Sequence, residues 1–78
     1  MIKVYTNDNC QPCRMTKNLL TRLSIPYEEI SARKTQGVIS YLYDLGFSHF
    51  PVVMTETDSW SGYRPDKIKA LAAQTQAC

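Results

Sequence analysis

Two cysteines separated by two residues form the sequence Cys10-Gln11-Pro12-Cys13 near the start of the chain. A thiolate is the reactive form of cysteine, and the first turn of a helix stabilises it through unpaired N–H groups and the positive end of the helix dipole. The segment that follows has helical periodicity, which places Cys10 at a helix N-terminus and Cys13 about one turn further along the same face. This spacing predicts dithiol–disulfide exchange, with Cys10 as the nucleophile and Cys13 as the resolving thiol.

The alternatives for the pair are half of a zinc site or two inert thiols. A structural zinc ion takes about four ligands, and the only other cysteine and histidine in the chain are Cys78 and His49. The sequence therefore predicts no metal site.

Dithiol–disulfide exchange needs no base beyond the thiolate, so we assign His49 no catalytic role. Cys78 is predicted to be a spare thiol on a frayed segment from Gln74 to Cys78, open to glutathionylation or to cross-linking of two chains.

The composition is that of a small globular protein. The chain has 78 residues, a 44% hydrophobic content and a formal net charge of +2. This length predicts one domain, residues 1–78, and the charge is too small and too scattered to suggest a nucleic-acid surface. The N-terminus lacks a signal-peptide core, and no apolar run approaches the ~20 residues that a membrane span needs. We expect a cytoplasmic monomer with no cofactor beyond its own redox-active disulfide.

The elements that position the dithiol follow from the apolar pattern along the chain. Runs of β-branched and aromatic residues predict strands at residues 2–5, 27–30, 51–55 and 59–61. Helical spacing predicts helices over about 11–23, from Val38 to a left-handed cap at Gly46, and from Pro65 onward. The apolar face of the first helix is assigned to Met15, Leu19, Leu20 and Leu23.

The predicted order of elements is β-α-β-α-β-β-α. A right-handed crossover makes the first two strands parallel, and a short hairpin makes the last two antiparallel. The predicted fold class is therefore α/β, a minimal thioredoxin-like fold with a four-stranded mixed sheet flanked by three helices. A copper chaperone also carries Cys-x-x-Cys after its first strand, but its order is β-α-β-β-α-β, and no Met immediately precedes Cys10 here.

The run Trp60-Ser61-Gly62-Tyr63-Arg64-Pro65 is the most specific stretch of the chain, since Cys-x-x-Cys with a later Pro-Val-Val is common to thioredoxins and glutaredoxins. On this run the chain resembles the NrdH-redoxins, and the resemblance covers nearly its whole length. The resemblance implies a small electron donor to class Ib ribonucleotide reductase that thioredoxin reductase recharges with NADPH. The other stretches that carry the resemblance are Tyr5-Thr6, Cys10-Gln11-Pro12-Cys13, Leu45-Gly46 and Pro51-Val52-Val53.

The resemblance also implies roles for residues outside the dithiol. Pro51 is expected to be a cis-proline that faces the dithiol, so that the backbone of Phe50 can pair with an extended substrate segment. Trp60 is either plain core or an aromatic docking surface for the partner, and Arg64 is expected to brace the last turn rather than to contact substrate. The remaining residues assigned to partner binding are Ser61, Gly62 and Tyr63.

Several positions depart from the family pattern. Asn7 and Asp8 of the active-site loop stand where relatives commonly carry Lys-Pro, which removes a cation and adds a carboxylate near Cys10. Both changes disfavour the thiolate. Tyr63 replaces the usual Phe, and Phe50 replaces a smaller residue, which reshapes the substrate groove.

The main alternative function is that of a glutathione-dependent glutaredoxin. Such a protein carries a Gly-Gly-Cys/Ser-Asp type of turn after its last strand, which holds the glutathione carboxylate. This chain has Ser61-Gly62-Tyr63-Arg64 there instead. The difference favours coupling to thioredoxin reductase, and a metal-binding Cys-x-x-Cys chaperone remains the third alternative.

Overall fold

The chain folds into strands and helices in the predicted order. The structure is a computed structural model that describes residues 2–76, so the predicted role of Cys78 lies outside the described residues. The backbone is helical up to Gln76, and the last two positions of the predicted frayed segment also lie outside. The elements are β1 (Ile2–Thr6), α1 (Gln11–Arg22), β2 (Tyr27–Ser31), α2 (Val38–Asp44), β3 (Val52–Met54), β4 (Ser59–Ser61) and α3 (Pro65–Gln76).

The strands form one four-stranded mixed sheet in the order β2-β1-β3-β4. β1 runs parallel to β2, with Thr6 opposite Ser31, and antiparallel to β3, with Tyr5 opposite Val52. β3 and β4 form the predicted antiparallel hairpin. The thioredoxin-like fold class is thus confirmed, and the β-α-β-β-α-β order of a copper chaperone is excluded.

The sheet lies between two layers of helix. Successive residues of a strand point to opposite faces of the sheet, and β1 therefore contributes Val4 to one core cluster and Tyr5 to another. The first cluster includes Leu20 of α1 and Ile68 of α3, and the second includes Leu42 of α2. Because both of its faces are covered, the end of β1 is held firmly where the active-site loop begins.

The buried face of α1 differs from the prediction at one position. Met15 is 41% exposed, whereas Thr16 is completely buried and lies on the same face as Cys13 and Leu20. One residue advances a helix by about 100°, so residues 13, 16 and 20 share a stripe from which Met15 points away. The prediction followed side-chain polarity, whereas burial follows the angular position around the helix.

The left-handed cap predicted after α2 is confirmed, because Gly46 has a φ of +94°. Among the helices of the described chain, none combines the length and the apolar character that a membrane crossing requires.

The second core cluster should be essential to stability. Leu42→Ala is expected to lower the free energy of unfolding by about 2–5 kcal/mol, because it opens a cavity beneath the sheet where Leu42 is 2% exposed. Urea denaturation measures this loss. The matched control is Leu45→Ala, whose side chain is 50% exposed, with an expected change below about 0.5 kcal/mol. Equal losses in the two variants would contradict the assignment of the core.

Candidate active site

The two cysteines form a disulfide at the N-terminus of α1. Their Cα atoms are 5.2 Å apart. Cys10 is the N-cap residue, and its Sγ accepts a hydrogen bond of 3.1 Å from the backbone N–H of Cys13. In the reduced protein the same N–H and the positive end of the helix dipole stabilise negative charge on Cys10. The predicted position at a helix N-terminus is therefore the one observed.

The two sulfurs differ in their access to solvent. Cys13 is 2% exposed, whereas Cys10 is half-buried at the mouth of the site. Gln11 is exposed, and Pro12 lies in the first turn of α1, where its missing N–H breaks no helical hydrogen bond. An external disulfide can reach Cys10 and not Cys13, which supports the division of roles between attacking and resolving thiol.

A short polar loop carries the chain from β1 to Cys10. The side chain of Asn7 accepts a hydrogen bond of 2.9 Å from the backbone N–H of Asp8. Asn9 has a φ of +54°, a left-handed conformation that asparagine tolerates better than most residues. The loop thus turns sharply and brings Cys10 back over the end of β1.

Arg33 forms an ion pair and a hydrogen bond with Asp8. Arg33 lies in the loop between β2 and α2, and the hydrogen bond to Asp8 raises the pKa of its guanidinium. The sequence analysis treated Asp8 only as an added carboxylate near Cys10, and the structure adds that a cation from another loop pairs with it. No sequence pattern indicated this pair, whose members are 25 positions apart.

A second polar network surrounds Glu29 of β2. Lys17 donates a hydrogen bond of 3.0 Å to the Glu29 carboxylate, and the buried Thr6 hydroxyl donates another of 3.0 Å to the same oxygen. These bonds, above all that from Lys17, together with the positive charges of Lys17 and Lys34, lower the pKa of Glu29. Sequence analysis missed this network. The available signal was the i, i+4 spacing of Lys17 from Cys13, which places both on one helix face.

These groups enclose a cleft of about 300 Å³ beside the disulfide, called here the dithiol cleft. Both cysteines and the loop residues Asn7, Asp8 and Asn9 line it. Its charged lining residues are Asp8, Arg14, Lys17, Glu29 and Lys34. Within residues 2–76, no three His, Cys, Asp or Glu side chains are grouped so that they could hold a metal ion.

The Phe50–Pro51 peptide bond is cis, as the family resemblance implied. Tyr5 pairs with Val52, so Pro51 stands next to the end of β1 and on the side of the sheet from which the active-site loop leaves. Pro51 is buried, and its carbonyl accepts a hydrogen bond of 2.8 Å from the N–H of Gly62. The cis-proline and the dithiol therefore lie at the same end of the sheet.

The aromatic signature divides into a core part and a surface part. Trp60 is 5% exposed and belongs to the first core cluster, so of its two alternatives the structure favours core over docking surface. Its indole N–H has no hydrogen-bond partner among the described residues, and Lys67 lies 5.5 Å from the ring centroid. Ser61, Gly62 and Tyr63 are half-buried.

Arg64 does not join the dithiol. Its guanidinium lies 3.2 Å from the carboxylate of Asp66 in the first turn of α3, and this contact lowers the pKa of Asp66. Arg64 is thus placed to brace the start of α3. The structure groups Cys10 and Cys13 with the active-site loop and places Pro51 at the same end of the sheet. Trp60 lies in the core, and Arg64 pairs with Asp66.

The fold and the dithiol define a thiol–disulfide oxidoreductase of the thioredoxin-like class. The family model described as glutaredoxin matches residues 2–60. Glutaredoxin-like protein NrdH of Lactococcus lactis is 31% identical over 72 residues, which cover 92% of this chain and 100% of that protein. The chain belongs to the glutaredoxin family and is similar to its NrdH members.

Two further comparisons agree with this assignment. Glutaredoxin-like protein NrdH of Salmonella typhimurium is 36% identical over 70 residues, covering 90% of this chain and 86% of that protein. The solved structure of NrdH-redoxin from Escherichia coli has a TM-score of 0.87 at 34% identity, covering 90% of this chain and 92% of that one.

The Asp8–Arg33 pair should tune the reactivity of Cys10. With Cys13 and Cys78 replaced by Ser, Arg33→Gln is expected to lower the thiolate fraction of Cys10 at neutral pH, because Asp8 is then uncompensated. Asp8→Asn is expected to raise it, and the double variant to return close to the starting value. Iodoacetamide alkylation rates measured against pH should change by about two- to fivefold, as expected for partly screened charges.

The control for this series is Arg22→Gln, which removes a cation from the far end of α1, roughly 18 Å along the helix. Its alkylation rate should match that of the parent variant. If Arg33→Gln and Arg22→Gln behave alike, the ion pair has no influence on the nucleophile and the helix N-terminus alone determines its reactivity.

Proposed function

We propose that this protein is an electron donor that reduces the active-site disulfide of a class Ib ribonucleotide reductase and is itself reduced by thioredoxin reductase with NADPH. The observation that carries the proposal is the signature run from Trp60 to Pro65. It stands where a glutathione-holding turn is expected, and Gly62 joins it to the cis-proline through a hydrogen bond of 2.8 Å to the Pro51 carbonyl. The Escherichia coli relative is described as having a thioredoxin-like activity profile, which supports the same coupling here.

The exchange uses two thiols in sequence. The Cys10 thiolate attacks one sulfur of the partner disulfide, forms a mixed disulfide, and expels the other partner sulfur as a thiolate that takes up a proton. Cys13, once deprotonated, then attacks the Cys10 sulfur and releases the second partner thiol. The partner gains two electrons and two protons, and this protein is left with the Cys10–Cys13 disulfide seen in the structure. Thioredoxin reductase reverses the change.

Substrate recognition is assigned to the end of the sheet where Pro51 lies. By resemblance to the family, the backbone of Phe50 is the group expected to pair with an extended partner segment by main-chain hydrogen bonds. Phe50 is half-buried against the second core cluster, so its backbone is held in place by packing. The protein acts in the cytoplasm as a monomer and needs no bound cofactor, metal or nucleic acid.

Glutathione-dependent turnover is the second candidate function. The match to the glutaredoxin family model favours it, and the dithiol chemistry would be the same. What separates the two candidates is the source of electrons, which the experiments below compare directly.

The division of labour between the thiols can be tested by trapping. Cys13→Ser is expected to stop turnover and to accumulate a mixed disulfide between Cys10 and the ribonucleotide reductase, because no resolving thiol remains. Cys10→Ser should stop turnover without such an adduct, because Cys13 is buried. Non-reducing electrophoresis and mass spectrometry identify the adduct, and Cys78→Ser serves as the control that retains activity. An adduct formed by the Cys10 variant would reverse the roles.

The electron source is tested by NADPH oxidation. Purified thioredoxin reductase is expected to support turnover at least about tenfold faster than millimolar glutathione with glutathione reductase, since the aromatic signature replaces the glutathione-holding turn. Cys10→Ser gives the background rate of both assays. Faster turnover with glutathione would assign the protein to the second candidate function.

A further inference from the structure

The charges around the dithiol cleft are not balanced. Two ion pairs form part of its surroundings, Asp8 with Arg33 and Glu29 with Lys17, and each pair cancels locally. Arg14 and Lys34 also line the cleft, and among residues 2–76 neither has an ion-pair partner. Although the charge of Lys34 also acts on Glu29, whose pKa it helps to lower, the cleft and its ion pairs together keep an excess of two positive charges beside the disulfide.

The two cations come from different parts of the chain and meet only in the folded protein. Arg14 follows Cys13 directly on α1, and Lys34 lies in the loop between β2 and α2. Both side chains are exposed and open to a ligand, and neither contributes to the core. The Asp8–Arg33 pair joins the active-site loop to the loop that carries Lys34.

A second, smaller hollow has a different chemistry. It has a volume of about 50 Å³ and lies between α2 and the segment that leads to the cis-proline, lined mostly by apolar residues that include Ile39, Phe47 and Phe50, together with Ser48 and His49. Of these two hollows, the dithiol cleft is the one lined by Asp, Glu, Lys and Arg side chains.

We propose that the dithiol cleft binds an acidic segment of the partner protein, with Arg14 and Lys34 pairing with carboxylates that flank the partner's disulfide. The inference rests on the proposed function, in which the oxidant is a disulfide within a protein. Exposed charges contribute little to equilibrium stability but act strongly on the rate of encounter. The cleft thus selects partners by accelerating association with acidic segments, and added salt weakens the selection.

Two cyclic peptides test the proposal. Both contain the same intramolecular disulfide, flanked by two Glu residues in one peptide and by two Gln residues in the other. The pre-reduced protein becomes oxidised to its Cys10–Cys13 disulfide while the peptide gains two thiols, which chromatography quantifies. Wild-type protein is expected to reduce the Glu peptide about three- to tenfold faster at low salt, as two partly screened charge pairs allow. The ratio should approach one at ~0.5 M salt.

Variants locate the effect in the cleft. In Arg14→Gln/Lys34→Gln the ratio of Glu-peptide to Gln-peptide rates should fall to about one, and the use of a ratio cancels any change in the nucleophile itself. The matched control is Lys69→Gln, an exposed cation of α3 that does not line the cleft, and both of its rates should equal those of wild type. A preference that survives in the double variant, or one that Lys69→Gln also abolishes, would overturn the assignment.

The remaining outcomes separate this inference from the proposed function. If wild type reduces both peptides at equal rates, the acidic subsite is disproved while disulfide reduction stands. If wild type reduces neither peptide, the proposed function fails with it. If Arg14→Gln/Lys34→Gln slows turnover with glutathione and leaves the peptide ratio unchanged, the cleft serves a small anionic thiol, and the partner-segment proposal is wrong.

Discussion

The pairing of β1 on both of its edges is the constraint on which the rest of the structure depends. β1 bonds to β2 on one side and to β3 on the other, and it buries Val4 and Tyr5 in separate core clusters on its two faces. A strand held in this way cannot shift register without exposing one cluster to water. Its end therefore fixes the loop that leads to Cys10 and, through β3, the position of Pro51.

The reactivity of the dithiol arises from groups that this frame brings together. The N-terminus of α1 supplies an N–H to Cys10, while Cys13 is buried beneath it. Around these atoms the charges come from three places: the active-site loop, one turn of α1, and the end of β2 with the loop that follows it. Arg33 crosses from another loop to pair with Asp8, so the fold supplies a cation beside this carboxylate. The charged groups around the dithiol are thus brought together by the fold, and the Cys-x-x-Cys segment alone does not contain them.

The aromatic signature acts mainly as part of the scaffold. Trp60 is buried in the core, and Arg64 pairs with Asp66 at the start of α3. The direct connection to the substrate side is the hydrogen bond from Gly62 to the Pro51 carbonyl. Within the run that carries the family resemblance, Gly62 thus ties the cis-proline segment to the end of β4.

The sequence alone determined the order of elements, the helix N-terminus at Cys10 and the left-handed cap at Gly46, because each depends on residues within a few positions of one another. The cis bond at Pro51 was predicted from the family resemblance and not from the residues alone. Only the tertiary structure decided that Thr16 rather than Met15 is buried, that Trp60 is core, and that Asp8 pairs with Arg33. These outcomes depend on which face α1 turns toward the sheet and on which loops lie together at the end of the sheet. Both are set by packing between segments far apart in sequence, which local patterns do not record.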